Sequence, residues 1–116
     1  ANKLKTASDV MLTKNKIPFI NENEIMKNAL ITLNSKKLGF LVVTNKLGFN
    51  TGIFTDGDLK RLMQKKREID NLRIRQFMKK NPYVVEQNTL ASDVLTQMNK
   101  RKITNVLVYN LLNVLK

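Results

Sequence analysis

The sequence contains no cysteine and no histidine. Without thiols there is no disulfide framework and no thiolate zinc site, and without imidazole the commonest general base and metal ligand is missing. Most hydrolase and oxidoreductase schemes are thereby excluded. Tryptophan is absent and aromatics make up 6% of the chain, so its core must be built from Ile, Leu, Val and Met. With only four Gly and two Pro there is no flexible Gly/Ser linker. Neither a Gly-rich phosphate loop nor a dinucleotide fingerprint is present. Apolar runs such as Phe40–Val43 and Val106–Tyr109 fall far short of the roughly 20 residues that span a bilayer. No membrane segment or secretory h-region is expected, and a cytoplasmic location is the default.

What the chain has in excess is positive charge: 21 Lys and Arg against 9 acids, a net +12 over 116 residues. The cations are scattered through 3–16, 36–46, 60–67, 73–80 and 99–102, with no helix-long stripe and no aromatic platform. That distribution fits a solvated face or the attraction of a small phosphorylated ligand, and argues against nucleic acid. The polar lead Ala1-Asn2-Lys3 lacks an initiator Met, so the sequence is expected to belong to a longer chain.

The strongest internal signal is a repeat at an offset of 65 residues. Ile25, Met26, Ala29, Leu30 and Leu33 fall at helical spacing over 24–36, and Leu90, Ala91, Val94, Leu95 and Met98 repeat the pattern over 89–100. Asn23 and Thr89 are the candidate N-caps. A basic pair and a short apolar run follow each helix, at Lys36–Val43 and Arg101–Val108, and read as buried strands. An extended stretch containing proline precedes each helix, at 17–20 and 82–85. The first copy continues through a turn at 45–48, a strand at 52–55 and a helix over 56–66 with Leu59, Leu62 and Met63 facing inward. The expected unit is β-α-β-β-α, with polar residues 65–72 as a surface connector. Val114-Leu115 would be the remnant of the second copy's third strand, and its last helix is absent. Half of this length buries too little apolar surface to stand alone, so the copies are expected to share a core.

One stretch carries recognisable chemistry: Gly52-Ile53-Phe54-Thr55-Asp56-Gly57-Asp58-Leu59, a strand running into a helix N-terminus. A carboxylate there can accept hydrogen bonds from a vicinal diol such as ribose, and a threonine hydroxyl with helix amides can meet phosphate oxygens. On spacing alone Thr55 or Asp56 can equally be a helix cap, with Asp58 complementing the dipole.

This Gly-hydrophobic-hydrophobic-Thr-x-x-Asp-Leu turn, in β-α-β order and in a tandem repeat, resembles the CBS domain. The resemblance implies an α+β fold of two β-α-β-β-α CBS units packed as a pseudo-twofold pair, the second truncated, at 8–67 and 74–116. It implies that Thr55 and Asp58, with Asp56 beside them, contact phosphate and ribose, and that Ile17, Pro18 and the strand after Lys37 line a base pocket. Leu38-Gly39, Gly52–Arg61 and Arg101–Asn105 together look like the CBS pair of arabinose-5-phosphate isomerases, whose isomerase domain lies upstream and works towards Kdo, the acidic sugar of lipopolysaccharide and capsules. On that reading the chain itself has no catalytic residue, no metal ligand and no resident cofactor. It senses a nucleotide or nucleotide-sugar such as CMP-Kdo, joins an upstream sugar isomerase domain and dimerises through its CBS pairs. The alternatives are a purely structural oligomerisation module, or the adenine-nucleotide sensor of another CBS protein. Asn113-Val114-Leu115 departs from the expected glycine, two hydrophobics and threonine, so one competent cleft is expected, centred on the first copy.

Overall fold

The computed structural model describes residues 4–65 and 68–109. In chain order they form α1 (Ala7–Val10), β1 (Phe19–Asn21), α2 (Met26–Ser35), β2 (Phe40–Thr44), β3 (Asn50–Thr55), α3 (Asp56–Lys65), β4 (Lys79–Lys80), β5 (Val84–Glu86), α4 (Ala91–Arg101) and β6 (Leu107–Tyr109), with 3-10 turns at Lys14–Lys16 and Ile74–Gln76. The fold class is α+β. Two compact units result, one of Thr13–Asn81 and one of Ala1–Leu12 with Pro82–Lys116.

In the first unit the strands lie in the order β1-β2-β3-β4. α2 carries the chain back over the sheet, so β1 and β2 are parallel. A tight hairpin then returns β3 antiparallel. Its tip is organised by Asn45, whose Oδ1 accepts the N–H groups of Leu47 and Phe49, and by Gly48 at φ 87°. β4, which no period-two pattern announces, adds to the free edge of β3. It approaches so closely that a Cβ on Gly52 would lie 2.9 Å from the Lys79 carbonyl oxygen. Leu41, Val43 and Phe54 of the sheet meet Met26, Ala29 and Leu33 of α2, and Ile69 and Ile74 complete the cluster.

Ile69 corrects the expectation of a surface connector over 65–72. Ile69 is buried, and the backbone beside it satisfies α2: the amides of Met26 and Lys27 donate to the carbonyls of Leu72 (2.7 Å) and Asp70 (3.0 Å). The first amides of a helix have no partner within it. Here another stretch of backbone supplies one, and Asn23 is not the cap: its own N–H donates to Asn21 Oδ1 at 2.9 Å, and Ile25 stands at the cap position without a side-chain bond.

The second unit repeats the device. β5 and β6 are parallel, joined across α4. The amide of Ala91 donates to the Lys5 carbonyl at 2.8 Å, and Ala7 donates to the Thr89 carbonyl at 2.7 Å. Thr89 therefore serves through its carbonyl, and the cap position belongs to Leu90. Ala7, Val85 and Val94 form the buried cluster, flanked by Tyr83, Met98, Val106 and Val108. The Arg101 guanidinium stacks on Tyr83, 4.0 Å from the ring centre.

Residues 72–74 and 5–7 play equivalent parts, related by an offset of 67, and each packs on the copy it does not precede. The compact units thus differ from the sequence copies: 8–12 sits with 82–109, and 74–81 with 13–65. The inward stripes are narrower than expected, because Met63 and Leu95 are exposed while Leu59, Leu62 and Met98 pack against the cores. The strand expected at 114–115 lies outside the described residues.

Replacing Ile74, which is 0% exposed, by Ala should lower unfolding free energy by about 2–4 kcal/mol. Met63→Ala, on the exposed face, should change it by less than about 0.5 kcal/mol. Urea denaturation followed by circular dichroism tests both, and similar losses from the two substitutions would contradict this packing.

Candidate functional site

Sheet topology gathers the candidate residues. Ile17 and Pro18 lead into β1, Lys37 leads into β2, and Thr55 ends β3. With β1 and β2 parallel and β3 antiparallel, all three positions fall at one end of the sheet. Phe40 pairs with Thr55 there, and the Asp56 amide donates to the Gly39 carbonyl at 2.9 Å. Pro18 is buried and its carbonyl accepts the Val42 amide at 2.9 Å, Ile17 is half-buried, and Lys37 and Asp56 are exposed. Lys37 takes the left-handed conformation, φ 56°, that turns the chain from α2 towards β2. Lys36 donates to the Asn15 carbonyl at 3.3 Å, which ties the Lys14–Lys16 turn to the same end. Lys14, Lys16, Lys36 and Lys37 belong to the segments at this end and add positive charge there.

At the start of α3, Thr55 and Asp58 cap each other. The Thr55 amide donates to Asp58 Oδ2 (3.0 Å), and the Asp58 amide donates to Thr55 Oγ1 (3.2 Å). This is the reciprocal cap that the spacing allowed. It leaves chemistry unused: the Thr55 hydroxyl accepts in the cap and keeps its own proton to donate. The second oxygen of Asp58, Oδ1, receives Arg61 Nη2 at 2.6 Å and faces Lys79 Nζ at 3.5 Å. The Arg61 guanidinium passes over Gly57, where a Cβ would lie in ordinary contact with it at 3.5 Å.

The Asp58 side chain is only 8% exposed. Burial pushes its acidity towards the neutral form. The Arg61 guanidinium, the Thr55 amide and hydroxyl, and Lys79 together outweigh that and hold the carboxyl below its ordinary value of 3.8. Arg61 and Lys79 were missed from sequence. The i,i+3 spacing of Asp58 and Arg61 was a usable signal. Nothing local announces Lys79, which arrives on β4. The counterpart turn of the second copy lies outside the described residues. Among the described residues no helix is long and apolar enough to cross a membrane, and no acidic cluster is suited to a metal ion.

A family model described as the CBS domain matches residues 74–114. A CBS-domain containing protein from Agrobacterium tumefaciens has the same fold, with a TM-score of 0.80 at 21% identity over 93% of this chain and 82% of its own. The structure of CBSX2 in complex with AMP superposes with a TM-score of 0.74 at 21% identity, covering 92% of this chain and 83% of that one. Residues 74–114 thus carry the CBS-domain match, and the fold is that of CBS-domain structures. The sequence is similar to the arabinose 5-phosphate isomerase KdsD of Salmonella typhi, 36% identical over 105 residues that make up 90% of this chain and 32% of that protein. The chain thus spans about a third of the length of the curated relatives it matches.

Because the folded Asp58 binds its proton more weakly than an unfolded aspartate, its ionised form stabilises the fold above the ordinary carboxylate range, and that contribution is lost as pH falls through the lowered value. Asp58→Asn should therefore flatten the acid limb of the stability profile, with the largest difference from the parent near neutral pH. Thermal melts between pH 7 and pH 2 measure this, and an acid limb as steep in the variant as in the parent would contradict the assignment.

Proposed function

We propose that the Thr13–Asn81 unit is a ligand-sensing module that binds a nucleotide or nucleotide-sugar at the sheet end marked by Thr55 and Asp58. The observation that carries this reading is what the cap leaves to exchange: a threonine O–H free to donate, and a carboxylate oxygen held only by the Arg61 and Lys79 side chains, within a single helical turn. A ribose diol takes the place of Arg61 on Asp58 Oδ1, the threonine hydroxyl donates to a phosphate oxygen, and the released guanidinium turns to the same phosphate. Ile17, Pro18 and the start of β2 offer the apolar wall for a base. Support comes also from a fold neighbour that was solved with AMP.

Similarity to KdsD supports the finer reading, in which the module reports to a sugar isomerase domain of the arabinose 5-phosphate isomerase type in the cytoplasm. A product of that route such as CMP-Kdo is the feedback ligand, and the paired CBS units hold two copies of the protein together. Binding energy reaches the attached domain only to the extent that the ligand favours one arrangement of the module over another.

Calorimetric titration with AMP, CMP and CMP-Kdo is expected to give saturable heat for at least one. Asp58→Ala should weaken that binding by about 1–3 kcal/mol, roughly 5- to 150-fold, without altering the assembly state seen by light scattering. No heat from any of the three, or equal binding by the variant, would overturn the reading.

A further inference from the structure

The opposite end of the same sheet carries a second constellation. Glu22, Arg75, Gln76, Met78 and Lys80 line an open depression of about 340 Å³. Glu22 is held by the Thr51 hydroxyl, which donates to Oε1 at 2.9 Å, and so presents Oε2. Among the described residues neither the Arg75 guanidinium nor the Lys80 ammonium has an ion-pair or hydrogen-bond partner, although Glu22 lines the same depression. Opposite charges facing one cavity, yet not closed into a pair, leave a gap of the kind a ligand fills.

Comparison between the two copies shows that the fold does not require these charges. The Arg75 amide donates to the Glu22 carbonyl at 3.1 Å, and the Ser8 amide donates to the Gln87 carbonyl at 2.9 Å. The backbone bond is the same under the offsets of 67 and 65, but one copy carries Glu and Arg where the other carries Gln and Ser. Lys80 likewise corresponds to Thr13, while Met78 corresponds to Met11. The apolar floor is kept in both, and the charges occur in one.

We propose that this depression is a binding site for a small hydroxylated dianion, of which a five-carbon sugar phosphate is the simplest common type. Arg75 and Lys80 hold the phosphate, Glu22 Oε2 accepts from a hydroxyl, and Met78 lies under the carbon chain. The volume is near the lower limit of the roughly 300–1,000 Å³ typical of small-molecule clefts, which suits a sugar phosphate better than a nucleotide. This site is separate from the Thr55–Asp58 end and does not rest on its assignment.

Titration of the isotope-labelled 116-residue chain with ribose 5-phosphate, followed by NMR, tests it. Saturable shifts are expected at Glu22, Gln76, Met78 and the Arg75 guanidinium. Affinity should fall at least tenfold in Arg75→Ala and Lys80→Ala, and at least threefold in Glu22→Gln. It should stay within twofold in Asp58→Ala, which damages the other end alone. Arg75 and Lys80 are exposed, and unchanged amide spectra of the unliganded variants verify their folding. Absence of saturable shifts, shifts confined to Thr55–Asp58, equal affinity for inorganic phosphate, or unchanged affinity in Arg75→Ala would each overturn the proposal.

Discussion

The backbone hydrogen bonds that start α2 and α4 are the constraint on which the rest of the architecture hangs. A helix buried on one face cannot leave its first amides unpaired, and neither helix has a side-chain cap. The carbonyls of Asp70 and Leu72 serve one helix and that of Lys5 the other. Recruiting them draws in the residues alongside, Ile69 and Ile74 in one core and Ala7 in the other. The exchange of segments between copies follows, since the chain that completes each helix is the chain that leads into the other copy. It also delivers β4 to the edge of β3, and with it Lys79 to Asp58 and Lys80 to Glu22's end of the sheet.

At the Thr55–Asp58 turn, capping and ligand recognition need not compete. A cap uses one oxygen from each side chain as an acceptor, and a nucleotide asks for a hydroxyl donor and a second carboxylate oxygen. Both are present on the same two residues. The Arg61 and Lys79 cations occupy that second oxygen in the unliganded unit, which avoids a buried carboxylate without charge compensation. They are also the groups a phosphate would attract, so on the proposed reading ligand entry would exchange one set of charge pairs for another.

Much of this was legible in the sequence. The stripes of α2 and α4 follow from Met26, Ala29, Leu33 and Val94 at helical spacing, and the β-α-β-β-α order of the first copy follows from period, turn residues and the hairpin at Asn45–Gly48. The caps were not legible, because the partner of Met26 is a carbonyl at Leu72, far along the chain, and backbone atoms leave no mark in residue type. β4 escaped notice because two lysines carry no apolar alternation. Met63 and Leu95 were placed inward because composition cannot say how wide a buried stripe will be. Thr55 and Asp58 could be placed on a helix start by spacing alone, but the choice between cap and ligand contact was open there, and the geometry shows the cap, with the threonine O–H left to donate and the second carboxylate oxygen held by Arg61 and Lys79.

The most direct test of the central claim is a crystal structure of the chain grown with AMP. The account predicts ribose oxygens within hydrogen-bond distance of Asp58, the Thr55 hydroxyl on the phosphate, and the Arg61 guanidinium moved off the carboxylate it now holds at 2.6 Å. AMP bound elsewhere, with the Asp58–Arg61 pair intact, would contradict it.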